Sequence, residues 1–155
     1  MSKPRYGWWG YIKNVIRAYP DLKKEYNALH EQSITANTSG MPGGGGGISR
    51  GVECIALREL PKPKQRELEA VMNTIQLTER LKTGKDRIHL IDMVFWKGTH
   101  TLAGAAMALN ISYDTAIDYH GDFIMLTAYH KELITFDELK PAQKIALKSQ
   151  NNVLN

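Results

Sequence analysis

Between Tyr6 and Glu31 the apolar residues Ile12, Val15, Ile16, Tyr19 and Tyr26 recur near the 3.6-residue spacing of one helix face. Lys13, Arg17 and Lys24 fall on another face, and Tyr6, Trp8, Trp9 and Tyr11 give the stretch an aromatic entry. Pro20 lacks an amide hydrogen and suits a first helical turn, so a second helical stretch is expected to start there. From Ser33 to Ser49 the periodicity stops. Gly, Ser, Asn and Thr crowd together, and five consecutive glycines occupy 43–47. Such a run is expected to be a flexible tether.

Helical spacing then returns. Gly51 to Leu60 reads as a short helix stopped by Pro61 and Pro63, and Lys64 to about Leu81 carries Leu68, Val71, Met72, Ile75 and Leu81 as a buried stripe. Thr83-Gly84 breaks that helix. Asp86 to Lys97 follows, with Ile88, Ile91, Val94 and Phe95 on one side and Gly98 as its stop. Thr101 to about Leu109, a turn at 110–112, and a long helix from Tyr113 toward His130 complete the pattern, with a weaker helix over Asp137 to Leu147. No alternating strand pattern stands out. The chain reads as all-α, divided into an N-terminal amphipathic helical segment (1–32), a flexible Gly-rich linker (33–50), a helical domain with a helix-turn-helix (51–136) and a weakly helical tail (137–155).

The turn at 110–112 draws attention because each residue suits a tight helical corner. Ala103, Ala105 and Ala106 are small enough for two helices to touch. Asn110 tolerates positive φ better than most residues. Ile111 can plug the core, and Ser112 can cap the next helix. A helix-turn-helix is favoured over a plain helical hairpin because all four features fall in register. At 100° per residue, Ala116, Tyr119, His120, Phe123, Thr127 and His130 share one face, with Leu126 at its edge. Asp114, Asp118, Gly121, Asp122 and Met125 share the opposite one.

Composition narrows the field. With 155 residues, 43% hydrophobic and 23% charged, the chain fits one ordinary globular domain. No stretch approaches the roughly 20 apolar residues of a membrane span. The N-terminus has no apolar run of the secretory kind, and one cysteine, Cys54, cannot pair internally, so a reducing, cytoplasmic compartment is expected. Net charge is +4, and it is uneven: seven Lys/Arg against three acids over 1–50, nine against seven over 51–100, four against six over 101–155.

Candidate chemistry is sparse. The glycine run ends in Ile48-Ser49-Arg50, not the Gly-Lys-Ser/Thr of a phosphate loop. His89, His100, His120, His130 and Cys54 lack the close pairing of a metal ligand set, so no metal or other cofactor is expected. No nucleophile and base stand in a recognisable arrangement, and an enzyme is not expected. Trp8 and Trp9 beside Lys3, Arg5 and Lys13 suit stacking on single-stranded bases, though packing under the third segment is the commoner use. Asp114, Asp118 and Asp122 form an acidic stripe suited to a basic protein partner, and no Lys or Arg occurs between Ser112 and His130.

Four stretches also carry a resemblance. They are Arg17-Ala18-Tyr19-Pro20 closing the aromatic helix, Ser39-Gly40-Met41-Pro42 before the glycines, the helix from Arg87 to Trp96, and the turn and helix from Leu109 to Tyr119. In order and spacing the chain resembles phage transcriptional regulators of the ArpU and RinA type, whose C-terminal part is similar to the promoter-reading region 4 of sigma factors. The resemblance implies an activator of phage or prophage late genes that binds double-stranded DNA, with RNA polymerase and a second copy of the chain as further partners. It also implies that Ser112, Tyr113, Thr115 and Ile117 face the groove while Lys97, His100 and Thr101 meet the phosphate backbone. The family usually carries Arg or Lys along the exposed recognition helix, and here aspartates stand instead. A protein-binding module, contacting RNA polymerase or serving phage packaging or assembly, is the alternative expectation.

Overall fold

A computed structural model describes residues 6–38 and 60–153. The described residues are all-α, without a strand. Six α-helices follow in order: α1 (Trp9–Thr38), α2 (Lys62–Glu79), α3 (Gly84–Ile91), α4 (Leu102–Ala108), α5 (Tyr113–His130) and α6 (Pro141–Val153). A π-helical turn (Asp92–Trp96) extends α3, and a short 3-10 turn (Phe136–Glu138) precedes α6. The glycine run and the helix expected over Gly51 to Leu60 lie outside the described residues.

Proline positions explain two departures from the expected boundaries. Pro20 does not open a new helix, because α1 runs unbroken through it. A proline inside a helix orphans the carbonyl four residues earlier, here that of Ile16. The indole Nε1 of Trp96 donates to this carbonyl at 3.0 Å. The rings of Tyr19 and Trp96 lie 5.5 Å apart, and Trp96 meets Phe123 edge-on. A side chain from the π turn thus supplies the donor that proline removed. Pro63 causes no such gap, since it falls in the first turn of α2, where amides have no helical acceptor. The helix α1 also continues to Thr38, past the point where the linker was expected to begin.

The core forms where α1, α2 and α5 meet, with α3 and α4 closing over α5. Ile12, Ile16, Val71, Leu90, Ile91, Phe123 and Ile124 are fully or almost fully buried. Six consecutive residues of α5, Phe123 to Ala128, are buried, so this half of the helix is enclosed on all sides. Met125 belongs to that run and not to an exposed face. Thr74, Thr78 and Thr127 sit in this core with their hydroxyls within 2.9 Å of the Ala70, Thr74 and Phe123 carbonyls, respectively. His130 Nδ1 lies 3.0 Å from the Thr74 hydroxyl, joining α5 to α2.

Corners are made by residues suited to them. Gly84 is buried, and a Cβ there would strike the carbonyl oxygens of Thr78 and Glu79, so the α2–α3 corner requires glycine. Gly98 ends the π turn at φ +62°. The C-terminal stretch is better integrated than a weak tail, since Leu139, Gln143 and Leu147 are buried. A capping box between Thr135 and Glu138 leads into it.

Candidate nucleic-acid interface

The corner between α4 and α5 is built almost wholly from local hydrogen bonds. Thr101 caps α4, accepting from the Gly104 amide at 3.1 Å. The helix ends with Asn110 at φ 56°, and two bonds close the turn: Ile111 N–H to the Ala106 carbonyl at 3.0 Å, and Asn110 N–H to the Met107 carbonyl at 3.1 Å. This is the paired pattern of a Schellman motif, which satisfies carbonyls left over at a helix end. Ser112 then caps α5, accepting from the Thr115 amide at 3.1 Å. Ala105, Ala106 and Ala116 are buried, as close packing of the two helices requires, whereas Ala103, expected at the same contact, faces solvent.

Burial divides α5 in two. Its first turn, with Tyr113 at 42% exposure and Asp114 exposed, opens outward, whereas its second half is enclosed. Thr115 and Ile117 are half-buried, and the Thr115 hydroxyl lies 2.7 Å from that of Ser112. Lys97, His100 and Thr101 are exposed at the corner before α4. The hydroxyl of Thr101 is committed to its cap, His100 Nδ1 lies 2.8 Å from the Thr99 hydroxyl, and the Lys97 ammonium pairs with Asp92 at 2.8 Å. These three residues therefore enter any contact already held in place, with Lys97 paired to Asp92.

The acidic stripe divides as well. Asp114 and Asp118 are exposed. Asp122 is not available to a partner, because its carboxylate accepts from Arg87 at 3.0 Å and from the Gln143 amide at 2.8 Å. Its side chain is only 14% exposed, and Lys140 approaches to 4.0 Å. The guanidinium of Arg87 also covers the Tyr119 ring at 4.3 Å. Asp122 ties α3, α5 and α6 together, a structural duty that accounts for its place on an otherwise apolar stretch of helix.

Two features near the corner were not expected from spacing alone. Met107 on α4 is 83% exposed. Beyond the corner, the basic flank of α1 meets the middle of α5 through Phe95. The Arg17 guanidinium lies over the Phe95 ring at 5.6 Å, and Phe95 stacks on His120 at 5.2 Å. Burial pushes the His120 imidazole down to about 4, and the positive charges of Lys13 and Arg17 push the same way. His130 is also lowered by burial. The sequence contained the signal for this flank in the one-sided spacing of Lys13, Arg17 and Lys24, but not the helix it would face.

Among the described residues no cluster of three His, Cys, Asp or Glu side chains is placed to hold a metal ion. No described helix is long and apolar enough to cross a membrane. Comparison with family models, with curated proteins and with solved structures found no match.

Proposed function

We propose that this chain is a DNA-binding transcriptional regulator, an activator of phage or prophage late genes, that docks on duplex DNA through α4 and α5. One observation carries the reading: α5 is anchored by its enclosed second half and presents its first turn to solvent from a capped, tightly closed corner. Recognition helices of helix-turn-helix proteins read base edges with their N-terminal residues, while the preceding helix crosses the backbone. In this reading Tyr113 and Asp114 reach the groove, and Asp114 can accept from a cytosine amino group. Ser112 and Thr115 hold the turn, Ile117 supports it from below, and His100 and Thr101 meet the backbone beside Lys97. The resemblance to regulators of the ArpU and RinA type supports the same assignment and, with it, a site of action in the cytoplasm of a bacterial host.

Exposed Met107 together with Asp114 and Asp118 favours a second reading. An exposed apolar side chain and two exposed carboxylates suit a basic protein surface, such as one on RNA polymerase. Selection of bound sequences from a random duplex library separates the two. The regulator is expected to enrich one sequence and to bind it at least about 10³-fold more tightly than a scrambled duplex. No enrichment, together with a stable complex with RNA polymerase, would replace the first reading with the second.

A further inference from the structure

A DNA-docking surface without cations poses a problem. Phosphate neutralisation by Lys and Arg supplies most of the sequence-independent affinity for duplex DNA. The helix α5 has no Lys or Arg from Ser112 to His130, and Lys97 is paired with Asp92. Charge has to enter from another element.

We infer that the Lys13, Arg17 and Lys24 flank of α1, which meets the middle of α5 through Phe95 and His120, supplies further phosphate-backbone contacts that track one strand of duplex DNA. The inference rests on the DNA-binding reading given above. At 100° per residue the three positions fall within about 40° of one another, so they form one line along the helix. Lys13 to Lys24 spans about 16 Å at 1.5 Å per residue. A strand of duplex places a phosphate about every 3.4 Å along its axis, so the line is long enough to meet several in succession.

Contacts within the protein orient this flank without cancelling its charge. Arg17 is held by the Asn14 side-chain carbonyl at 3.3 Å and by the face of Phe95, and neither is an anion. Arg17 and Lys24 are exposed and Lys13 is half-buried. Phe95 connects Arg17 directly to His120, and Trp9 of α1 lies close to Gly121. Those two α5 residues stand about 12 Å of helical rise from the Ser112 cap, so the flank meets α5 about two turns from its open end. Farther along α1, Tyr19, Pro20, Lys23 and Lys24 share an open groove of about 400 Å³ with Trp96 and Lys97. Trp96, by bonding to the Ile16 carbonyl, fixes α1 where Pro20 would otherwise loosen it. The basic line is therefore rigid with respect to the corner.

The test is the salt dependence of binding by the full chain to the selected duplex and to a scrambled one. Replacing Lys13, Arg17 and Lys24 with Gln is expected to flatten the slope of log affinity against log salt by about 2.7, or about 0.9 per lost phosphate contact. Both duplexes should lose affinity together, leaving their ratio unchanged. If the triple variant does not fold, the exposed pair Arg17→Gln and Lys24→Gln serves, with a loss of about 1.8. The control is Lys62→Gln, Lys64→Gln and Arg66→Gln, three exposed cations at the start of α2. An unchanged slope in the α1 variant, or an equal loss in the control, overturns the inference while leaving DNA binding standing. A parent chain that binds no duplex overturns both.

Discussion

Asn110 and Glu132 hold the same left-handed conformation, at φ 56° and φ 62°, and each closes a helix with the same pair of hydrogen bonds. An L-residue pays roughly 1–2 kcal/mol for this conformation unless, like Asn, it has a short side chain that tolerates it. Asn110→Ala should therefore destabilise the fold by about 1 kcal/mol, with Asn110→Gly close to neutral. Glu132→Gly should raise stability by up to about 1 kcal/mol, because glycine removes the strain. Chemical denaturation of the three variants checks this, and a destabilised Glu132→Gly would contradict it. The first of these corners could be read in the sequence because Asn is a known choice for such a turn. The second could not, since nothing about Glu132 marks it for positive φ, and only the enclosed end of α5 imposes it.

Protonation of His120 also belongs to this scale. The folded protein holds its imidazole down to about 4, first by burial and then by the charges of Lys13 and Arg17. The unfolded chain, with an ordinary value near 6.5, binds the proton more readily over the interval between the two. Stability from the neutral His120 is therefore complete above about pH 6.5 and is lost as pH falls toward 4. Its full extent is on the order of 3 kcal/mol. His130, lowered by burial, acts in the same direction. His120→Phe, which preserves the stacking on Phe95, should flatten but not abolish the fall in melting temperature between pH 6.5 and 4. An unaltered acid limb would show that His120 does not titrate against folding.

Among the elements, α1 is the clearest case of tertiary structure overriding a local rule. Read alone, Pro20 marks a helix boundary. The indole of Trp96, 76 residues later, satisfies the carbonyl that proline orphans and so removes the reason for a break. No periodicity could reveal that pairing, because it depends on the π turn of Asp92–Trp96, an insertion that sequence spacing does not encode. Trp96→Phe should cost about 1–3 kcal/mol, leaving the Ile16 carbonyl without a donor. In a Pro20→Ala background the residue-20 amide can take that carbonyl itself, so the same Trp96→Phe change should cost measurably less. A double-mutant cycle with no coupling would disprove the link. The α4–α5 corner lies at the other extreme, with the cap at Ser112, the positive φ at Asn110 and the buried alanines all legible from residue type. What was misjudged is the surround of α5. A two-faced helix was expected, but α1, α2, α3 and α4 all contact it, so Met125 and Asp122 turn inward.

On the scale of the whole molecule, charge is arranged by element more than by total. The net +4 conceals an acidic, cation-free α5 beside a basic flank of α1. Under the proposed function this division separates two tasks, with α1 supplying affinity for the phosphate backbone and the first turn of α5 supplying discrimination. The sequence showed the uneven charge, but long-range packing was needed to bring the two elements together through Phe95 and His120. Asp114 and Asp118 have a clear role under this arrangement, because repulsion from unsuitable sites is one means of specificity. The decisive measurement is the affinity of the Asp114→Asn, Asp118→Asn variant for the selected and the scrambled duplex at one fixed salt concentration. Docking of α5 in the groove predicts that affinity for the scrambled duplex rises about tenfold, equivalent to about 1.4 kcal/mol, and that the ratio between the two duplexes falls. If both affinities stay at the parent's values, α5 does not lie in the groove, and the central claim is contradicted.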